Sequence, residues 1–234
     1  MKKKFVSLMA MLSFLVLTIP MAAQANFIDF NFFRITDNDN LVNPASQFDA
    51  KVYDSAQALS EQGQTLESNE VLFVFRNDVG IKSNISEVYF DDGTILSQTR
   101  LVNSLGGFTD FGTTLNPADL PSGNTTTPPF IATVFFGADA SGNPANGIDA
   151  AVDALGIVIA LQTDKGWADL LAAIADGSLR LGLHVRSIGD VGGSDSFVSL
   201  PGEGAPVPEP ATMLLLGSGL IGLAGFGRRK FFKK

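Results

Sequence analysis

Apolar and polar side chains alternate along several short stretches between residues 26 and 200. In residues 26–33, Ile28, Phe30 and Phe32 alternate with polar positions, which is the period of a strand with one buried face. Other stretches are rich in valine, phenylalanine and leucine, a composition typical of strands. We therefore predict strands at residues 26–33, 71–75, 87–90, 130–136, 156–161, 179–185 and 196–200.

One stretch has the spacing of a helix instead. Its apolar residues recur at i, i+3, i+4 and i+7, and they are Trp167, Leu170, Leu171 and Ile174. Asp164 can cap the start of this helix, and Gly177 can end it. We predict a single short amphipathic helix packed on a body made of strands.

These elements together predict a mainly β fold. Many short strands joined by segments rich in Gly, Pro, Asn and Thr are typical of an antiparallel β-sandwich, here jelly-roll-like, with the short amphipathic helix added to it. Asp91-Asp92-Gly93-Thr94 predicts a tight hairpin turn after the strand at 87–90. In residues 179–185 the leucines alternate with other residues, which places His184 on the face opposite the leucines.

The first 25 residues have the order of a secretory signal peptide. Three lysines at positions 2–4 precede an apolar run at residues 5–19, and Ala23 and Ala25 form a small-residue cleavage site. We predict that signal peptidase cuts between Ala25 and Asn26. The alternative is an uncleaved anchor, which the well-formed cleavage site disfavours.

The C-terminal end carries a second apolar segment, preceded by Pro208, Glu209 and Pro210. Its 17 residues, 211–227, would span about 26 Å as a helix, just enough to cross a bilayer. Arg228, Arg229 and Lys230 follow and act as a basic stop signal on the cytoplasmic side. The prolines around Glu209 hold the motif extended, the backbone shape that a protease or transpeptidase needs.

Residues 207–219, VPEPATMLLLGSG, and 225–230, GFGRRK, resemble the PEP-CTERM sorting signal of exopolysaccharide-producing Gram-negative bacteria. The resemblance covers about thirty residues at the C terminus. It implies that exosortase, a membrane cysteine transpeptidase, processes the chain. It also implies an exported protein that is first anchored in the inner membrane by its C-terminal helix and then reaches the cell surface or the extracellular matrix.

The two end segments set the domain boundaries. We predict a signal peptide at 1–25, an exported β-sandwich domain at 26–203 and a Pro-rich linker with the sorting motif at 204–210. A transmembrane helix at 211–227 and a basic cytoplasmic tail at 228–234 follow. Eight of the 16 basic residues lie in the end segments and 23 of the 24 acidic residues lie between them, so the exported body has a net charge near −15. Such a body repels nucleic acid, which we exclude as a partner.

Composition also restricts the chemistry of the body. The chain has no cysteine, which excludes disulfides, thiolate metal sites and a thiol nucleophile. It has one histidine, which excludes a multi-histidine metal site. His184 with Ser187, Ser194 or Ser196 could form a nucleophile system, but no G-x-S-x-G motif is present. We predict no catalytic residues and no enzymatic activity, and the paired carboxylates of a glycosidase stay open because such pairing is spatial.

Calcium is the one cofactor that the acidic residues suggest. Asp37-Asn38-Asp39-Asn40 offers alternating oxygen ligands, to which Asp91 with Asp92, or Asp190 with Asp195, could add. None of these segments matches the twelve-residue calcium loop. We favour the alternative that these side chains form turns by bonding their own backbone, and we predict no metal ligand.

The predicted function is that of an exported structural or adhesive protein of the cell surface or of the exopolysaccharide and biofilm matrix. Its predicted partners are signal peptidase, exosortase and extracellular polysaccharide. The alternative is a calcium-assisted carbohydrate-binding or polysaccharide-processing module.

Overall fold

The computed structural model describes residues 27–38, 42–92, 94–113, 119–138 and 146–200. The predicted signal peptide, sorting motif, transmembrane helix and basic tail lie outside these residues. Within the described residues, no helix is long and apolar enough to cross a membrane.

The described residues form eleven strands and two α-helices. In chain order these are β1 (Phe27–Phe30), β2 (Phe32–Arg34), β3 (Phe48–Tyr53), α1 (Ser55–Gln62), β4 (Glu70–Asn77), β5 (Asn84–Asp92), β6 (Leu96–Gly106), β7 (Phe111–Thr113), β8 (Val134–Ala138), β9 (Ala154–Leu161), α2 (Trp167–Asp176), β10 (Leu179–Ile188) and β11 (Gly193–Ser199).

The strands form two antiparallel sheets. One has five strands in the order β1-β3-β4-β9-β6, and the other has six in the order β2-β11-β10-β5-β8-β7. This arrangement confirms the prediction of a mainly β fold with antiparallel sheets and few helices. The chain changes sheets at Asn31, between β1 and β2, and the backbone N–H of Leu200 donates to the Asn31 carbonyl at 3.0 Å.

A phenylalanine-rich core lies where the two sheets face each other. Phe73 on β4 meets Phe90 on β5 edge to face, with ring centroids 5.1 Å apart, and Phe48 on β3 meets Phe197 on β11 at 5.0 Å. Edge-to-face contacts are favoured because the positive ring edge meets the negative ring face. Each of these rings lies at an alternating, inward position of its strand, so the period of two in the sequence builds the core.

The outer face of each sheet is covered by a segment of its own. Ala58 of α1 packs with Leu72 and Val74 over the five-stranded sheet. Leu120 and Phe130, from the connection between β7 and β8, pack with Tyr89 and Val198 over the six-stranded sheet. Both sheets therefore bury apolar side chains on their outer faces as well as in the central core.

Several local predictions are wrong. The strand predicted at 130–136 begins only at Val134, and β3, β6 and β7 were not predicted. The turn at 91–94 does not join a hairpin, because β5 and β6 belong to different sheets. The Asp92 carboxylate instead accepts the N–H groups of Ile95 and Leu96, at 2.8 and 2.9 Å, where the chain crosses over. Helix α2 begins after Gly166, whose N–H donates to Asp169 at 2.9 Å, so Asp164 is not its cap. The structure also contains a second helix, α1, which the sequence analysis did not predict.

Candidate functional site

The outer face of the six-stranded sheet holds the polar side chains of β10. Leu181, Leu183 and Val185 are fully buried in the central core, and His184 lies on the opposite face. This confirms the position that the alternation of residues 179–185 predicts for His184. The face thus concentrates the chain's one histidine and two of the five arginines of the body, Arg180 and Arg186.

Glu87 on β5 collects three polar partners on this face. The register of β5 and β10 sets Glu87 directly opposite His184. The carboxylate accepts from Tyr89 Oη at 2.7 Å and from Arg186 Nη2 at 2.8 Å, and it lies 2.7 Å from His184 Nδ1. We call Glu87, Tyr89, His184 and Arg186 the Glu87 cluster. His184 and Arg186 are 97 and 99 residues from Glu87 in the chain, so strand pairing is what brings them to Glu87.

The Glu87 cluster changes the acidity of two of its members. Burial on its own raises the pKa of Glu87, but hydrogen bonds from His184 and Tyr89 and the positive charges nearby outweigh burial and hold that pKa below its usual value. Burial, and then the bond to Glu87, raise the pKa of the Tyr89 hydroxyl. The cluster therefore stabilises a charged carboxylate and a neutral phenol, which is the arrangement of a structural ion-pair network.

Of the three serines that the sequence offers as nucleophiles, Ser196 is buried out of reach of a substrate. Ser196 lies opposite His184 in the register of β10 and β11, but it is 1% exposed and its hydroxyl has no hydrogen-bond partner. Ser194 precedes it on β11, and its carbonyl accepts from Asn38. Ser187 has a left-handed backbone, with φ of 58°, near the end of β10. A substrate cannot reach the Ser196 hydroxyl without opening the sheet.

Arg180 fastens the covering segment to the sheet. Its guanidinium pairs with the Asp91 carboxylate and donates to the carbonyls of Pro128 and Pro129, the former at 2.8 Å. The same group lies 5.4 Å from the centre of the Phe130 ring. A Cβ at Gly182 would lie 2.9 Å from Leu120 and Phe130 atoms, so the segment approaches the sheet closely where β10 has no side chain.

A cleft of about 350 Å³ opens between this covering segment and the sheet edge at β2. Its apolar lining comes from Phe33, Ile35 and Val198, and its polar lining from Arg180, Ser199 and the threonines at 125–127. Phe33 is 37% exposed, which is unusual for a ring of this sheet. The volume lies within the usual range of small-molecule sites, about 300–1,000 Å³. No pattern in the sequence indicates this cleft, because the residues of its walls are distant from one another in the chain.

The acidic residues considered for calcium serve the protein's own backbone and arginines. Asp195 is buried and accepts from Thr36 Oγ1 at 2.7 Å, from the Asn38 N–H at 3.0 Å and from Arg34 Nη1 at 3.3 Å. Asp37 pairs with Arg34 at 2.8 Å. The structure thus brings residues 37 and 38 close to Asp195, as a shared calcium site would require, but an arginine already balances the charge there.

Of the other calcium candidates, Asp91 and Asp92 are occupied in the same way, whereas Asp190 is exposed between β10 and β11. Asp91 pairs with Arg180, and Asp92 accepts two backbone N–H groups. Asp39 and Asn40 lie outside the described residues. No group of three or more His, Asp or Glu side chains in the described part of the chain could hold a metal ion.

Several predicted site residues lie outside the described residues. These are the signal peptidase site, the sorting motif and the basic stop signal, at Ala23, Ala25, Pro208, Glu209, Pro210, Arg228, Arg229 and Lys230. Their roles stay predictions from the sequence.

Comparison with known families finds one match. Residues 206–230 match the model of the PEP-CTERM protein-sorting motif, which confirms the resemblance seen in the sequence. No curated protein and no solved structure matches the chain. The motif is that of an exported protein that is anchored at the membrane before processing and sorted by exosortase, a membrane transpeptidase.

Proposed function

We propose that this PEP-CTERM sorting-domain protein acts, after export and sorting, as a noncatalytic structural or adhesive protein of the cell surface or of the extracellular polysaccharide matrix. The observation that carries the proposal is the sorting motif at 206–230. The net charge near −15 between the end segments supports it, because a strongly acidic domain stays soluble outside the membrane.

A noncatalytic role is supported by how the polar groups of the body are used. His184 pairs with Glu87, while the hydroxyl of Ser196 is buried. Asp91, Asp92 and Asp195 are all occupied by backbone or arginine donors. A catalytic group must reach a substrate, and these groups are committed to contacts within the fold.

The test follows the protein in its native host and in the same host without exosortase. A tag within the loop at 63–69 allows the chain to be recovered and its mass measured. We expect an N terminus at Asn26 in both hosts, and loss of the tail near the Pro208-Glu209-Pro210 motif in the native host alone. An intact tail through Lys234 in the native host would show that the chain is an ordinary anchored protein.

A second candidate function, saccharide binding, is favoured by the cleft beside Phe33. An exposed ring gives a flat apolar surface for a sugar, and threonine hydroxyls beside it can bond sugar hydroxyls. Asp91 balances the charge of Arg180, so the cleft fits a neutral sugar better than an acidic one.

This second candidate is tested by titrating neutral oligosaccharides into the processed protein and following heat release. Phe33→Ala should abolish binding, whereas Ile131→Ala, which changes an exposed apolar residue outside the cleft, should not. A melting temperature unchanged by a calcium chelator is expected as well. Binding that survives Phe33→Ala would remove the cleft from consideration.

A further inference from the structure

Large hydrophobic side chains are exposed mostly at one end of the fold. Seven such side chains are exposed in the part of the chain that the structure describes, and four lie on loops at this end. They are Val42 (62%), Phe108 (65%), Val152 (72%) and Val191 (74%). We call these four side chains the apolar tip. Exposed apolar groups that gather on one surface mark interaction sites, whereas scattered ones need no explanation.

Strand order places the four loops at the same end. Val42 follows β2, Phe108 follows β6, Val152 precedes β9, and Val191 lies between β10 and β11. Gly106 at the end of β6 lies opposite Ala154 at the start of β9, so the loops that carry Phe108 and Val152 are direct neighbours.

Hydrogen bonds join these loops to one another. The Phe108 N–H donates to Asp153 Oδ1 at 3.1 Å, and Asn77 Nδ2 donates to the Ile148 carbonyl at 3.1 Å. The Gly189 N–H donates to the Lys82 carbonyl at 2.8 Å.

The buried side chain of Gln47 completes the connection. It donates to Asn77 and to the Ile81 carbonyl, each at 2.8 Å, and so ties the loop after Val42 to the loop between β4 and β5. The tip is therefore presented by a connected backbone, which lowers the entropy lost when a partner binds.

The loops that carry three of the apolar-tip residues also carry exposed carboxylates, which give this end an acidic rim. Exposed Asp110, Asp149 and Asp190 lie within three residues of Phe108, Val152 and Val191, respectively. Lys82 is the single basic residue in the described parts of the loops at this end. Such a rim repels an anionic lipid surface and repels a second copy of the same tip, but it attracts a basic surface.

We propose that the apolar tip is the docking surface for a protein partner whose contact surface is apolar at its centre and basic at its rim. The last strand, β11, starts at this end and leads to Ser199 at the other, so the tip lies away from the point where the chain continues toward residue 206. The proposal names a class of partner for the proposed adhesive role. It rests on the proposed function in one respect, which is that the chain must be exported.

The test places a photo-cross-linking amino acid, p-benzoylphenylalanine, at position 108 or 152 of the full chain in intact cells of the native host. Positions 59 and 131, which carry exposed hydrophobic residues away from the tip, serve as matched controls. We expect positions 108 and 152 to cross-link to the same protein at about ten times the yield of the controls. The cross-linked peptides of that protein should carry lysine or arginine beside apolar residues.

A charge variant tests the rim separately. Asp110→Asn combined with Asp190→Asn should lower the cross-linking yield about tenfold, since complementary charge steers association. Cross-links to lipid, to a second copy of the chain or to a surface without basic residues would overturn the proposal, as would yields equal to the controls. The mass of the processed chain is measured in the same samples, so a failure of sorting is distinguished from a failure of docking.

Discussion

Single residues on the six-stranded sheet decide how its outer face is used. Glu87 gathers Tyr89, His184 and Arg186, while Gly182 leaves the room in which Leu120 and Phe130 settle. Neither role can be read from the neighbours of these residues in the chain. Each depends on which strand lies alongside.

Glu87→Gln should change how stability depends on pH. The pKa of Glu87 is lowered in the folded protein, so its contribution is present above the ordinary value of 4.5 and is lost as pH falls through the folded pKa. At pH 7 we expect the free energy of unfolding to fall by about 1–3 kcal/mol, because the charged hydrogen bonds weaken. The variant should then lose less stability than the native protein upon acidification.

Urea unfolding at pH 7 and at a pH below 4.5 measures both effects. Glu67→Gln is the matched control, since Glu67 is exposed and lies outside the Glu87 cluster. If Glu87→Gln and the native protein lose equal stability on acidification, Glu87 does not carry the pH dependence assigned to it.

Gly182→Ala should destabilise the fold by about 1–3 kcal/mol, the usual result of adding a methyl group to a packed region. The new Cβ would lie 2.9 Å from the Phe130 ring, which cannot bend away as a flexible chain can. Gly112→Ala is the control, because a Cβ there meets nothing within 4 Å. Thermal unfolding of both variants provides the measurement, and equal melting temperatures would contradict the close packing.

At the scale of elements, side-chain contacts hold the covering segment at 119–133 on the six-stranded sheet. Arg180 joins β10 to β5 through Asp91 and to the segment at 119–133 through two proline carbonyls. That segment contains little regular structure, and it depends on such side-chain contacts to stay on the sheet. The outer face of the sheet and the cleft beside it therefore share one anchoring residue.

Arg180→Met should release the segment at 119–133 and leave Asp91 charged without its partner. Loss of one member of a buried ion pair costs about 3–5 kcal/mol. In the variant, we expect amide hydrogen exchange to become faster than in the native protein in residues 119–133. Exchange in α1, which covers the other sheet, should stay unchanged. Adding Asp91→Asn should recover part of the lost stability, and unchanged exchange in this segment would refute the anchoring role.

Helix α1 was not predicted because it lacks the apolar spacing of a helix packed on the core. Its eight residues include exposed Leu59, and only Ala58 is buried, so the apolar spacing of a core helix is missing. The signals that were present are local. Asp54 accepts the Gln57 N–H at 2.9 Å at the start, and Gly63 ends the helix with φ of 65°.

On the scale of the whole molecule, the sorting motif predicts that the Glu209 carboxylate is required for removal of the C-terminal tail. Glu209→Ala should block removal of the tail, so that the protein stays in the membrane fraction with Lys234 attached. Glu203→Ala, an acidic residue six positions earlier, is the matched control and should be processed normally. Mass spectrometry of the tagged chain distinguishes the results. Normal processing of Glu209→Ala would show that the charge is not recognised.

The sequence by itself determined the sorting motif and the inward positions of the strands. An exosortase signal is a linear string, so the string Pro208-Glu209-Pro210 with its apolar and basic segments suffices to identify it, and the family comparison agrees. Alternation likewise placed Ile28, Phe30 and the leucines of β10 in the core, because successive side chains of any strand point to opposite faces.

Tertiary structure alone decided which strands lie side by side. Strand pairing is a long-range choice among backbones whose hydrogen-bonding groups are all alike, so the sequence could not show that β5 pairs with β10 rather than with β6. The Glu87 cluster, the occupied carboxylates, the cleft and the apolar tip all follow from that choice. The Glu87 cluster and the cleft join residues from distant parts of the chain, and the apolar tip lies on loops that only the folded sheets bring to the same end.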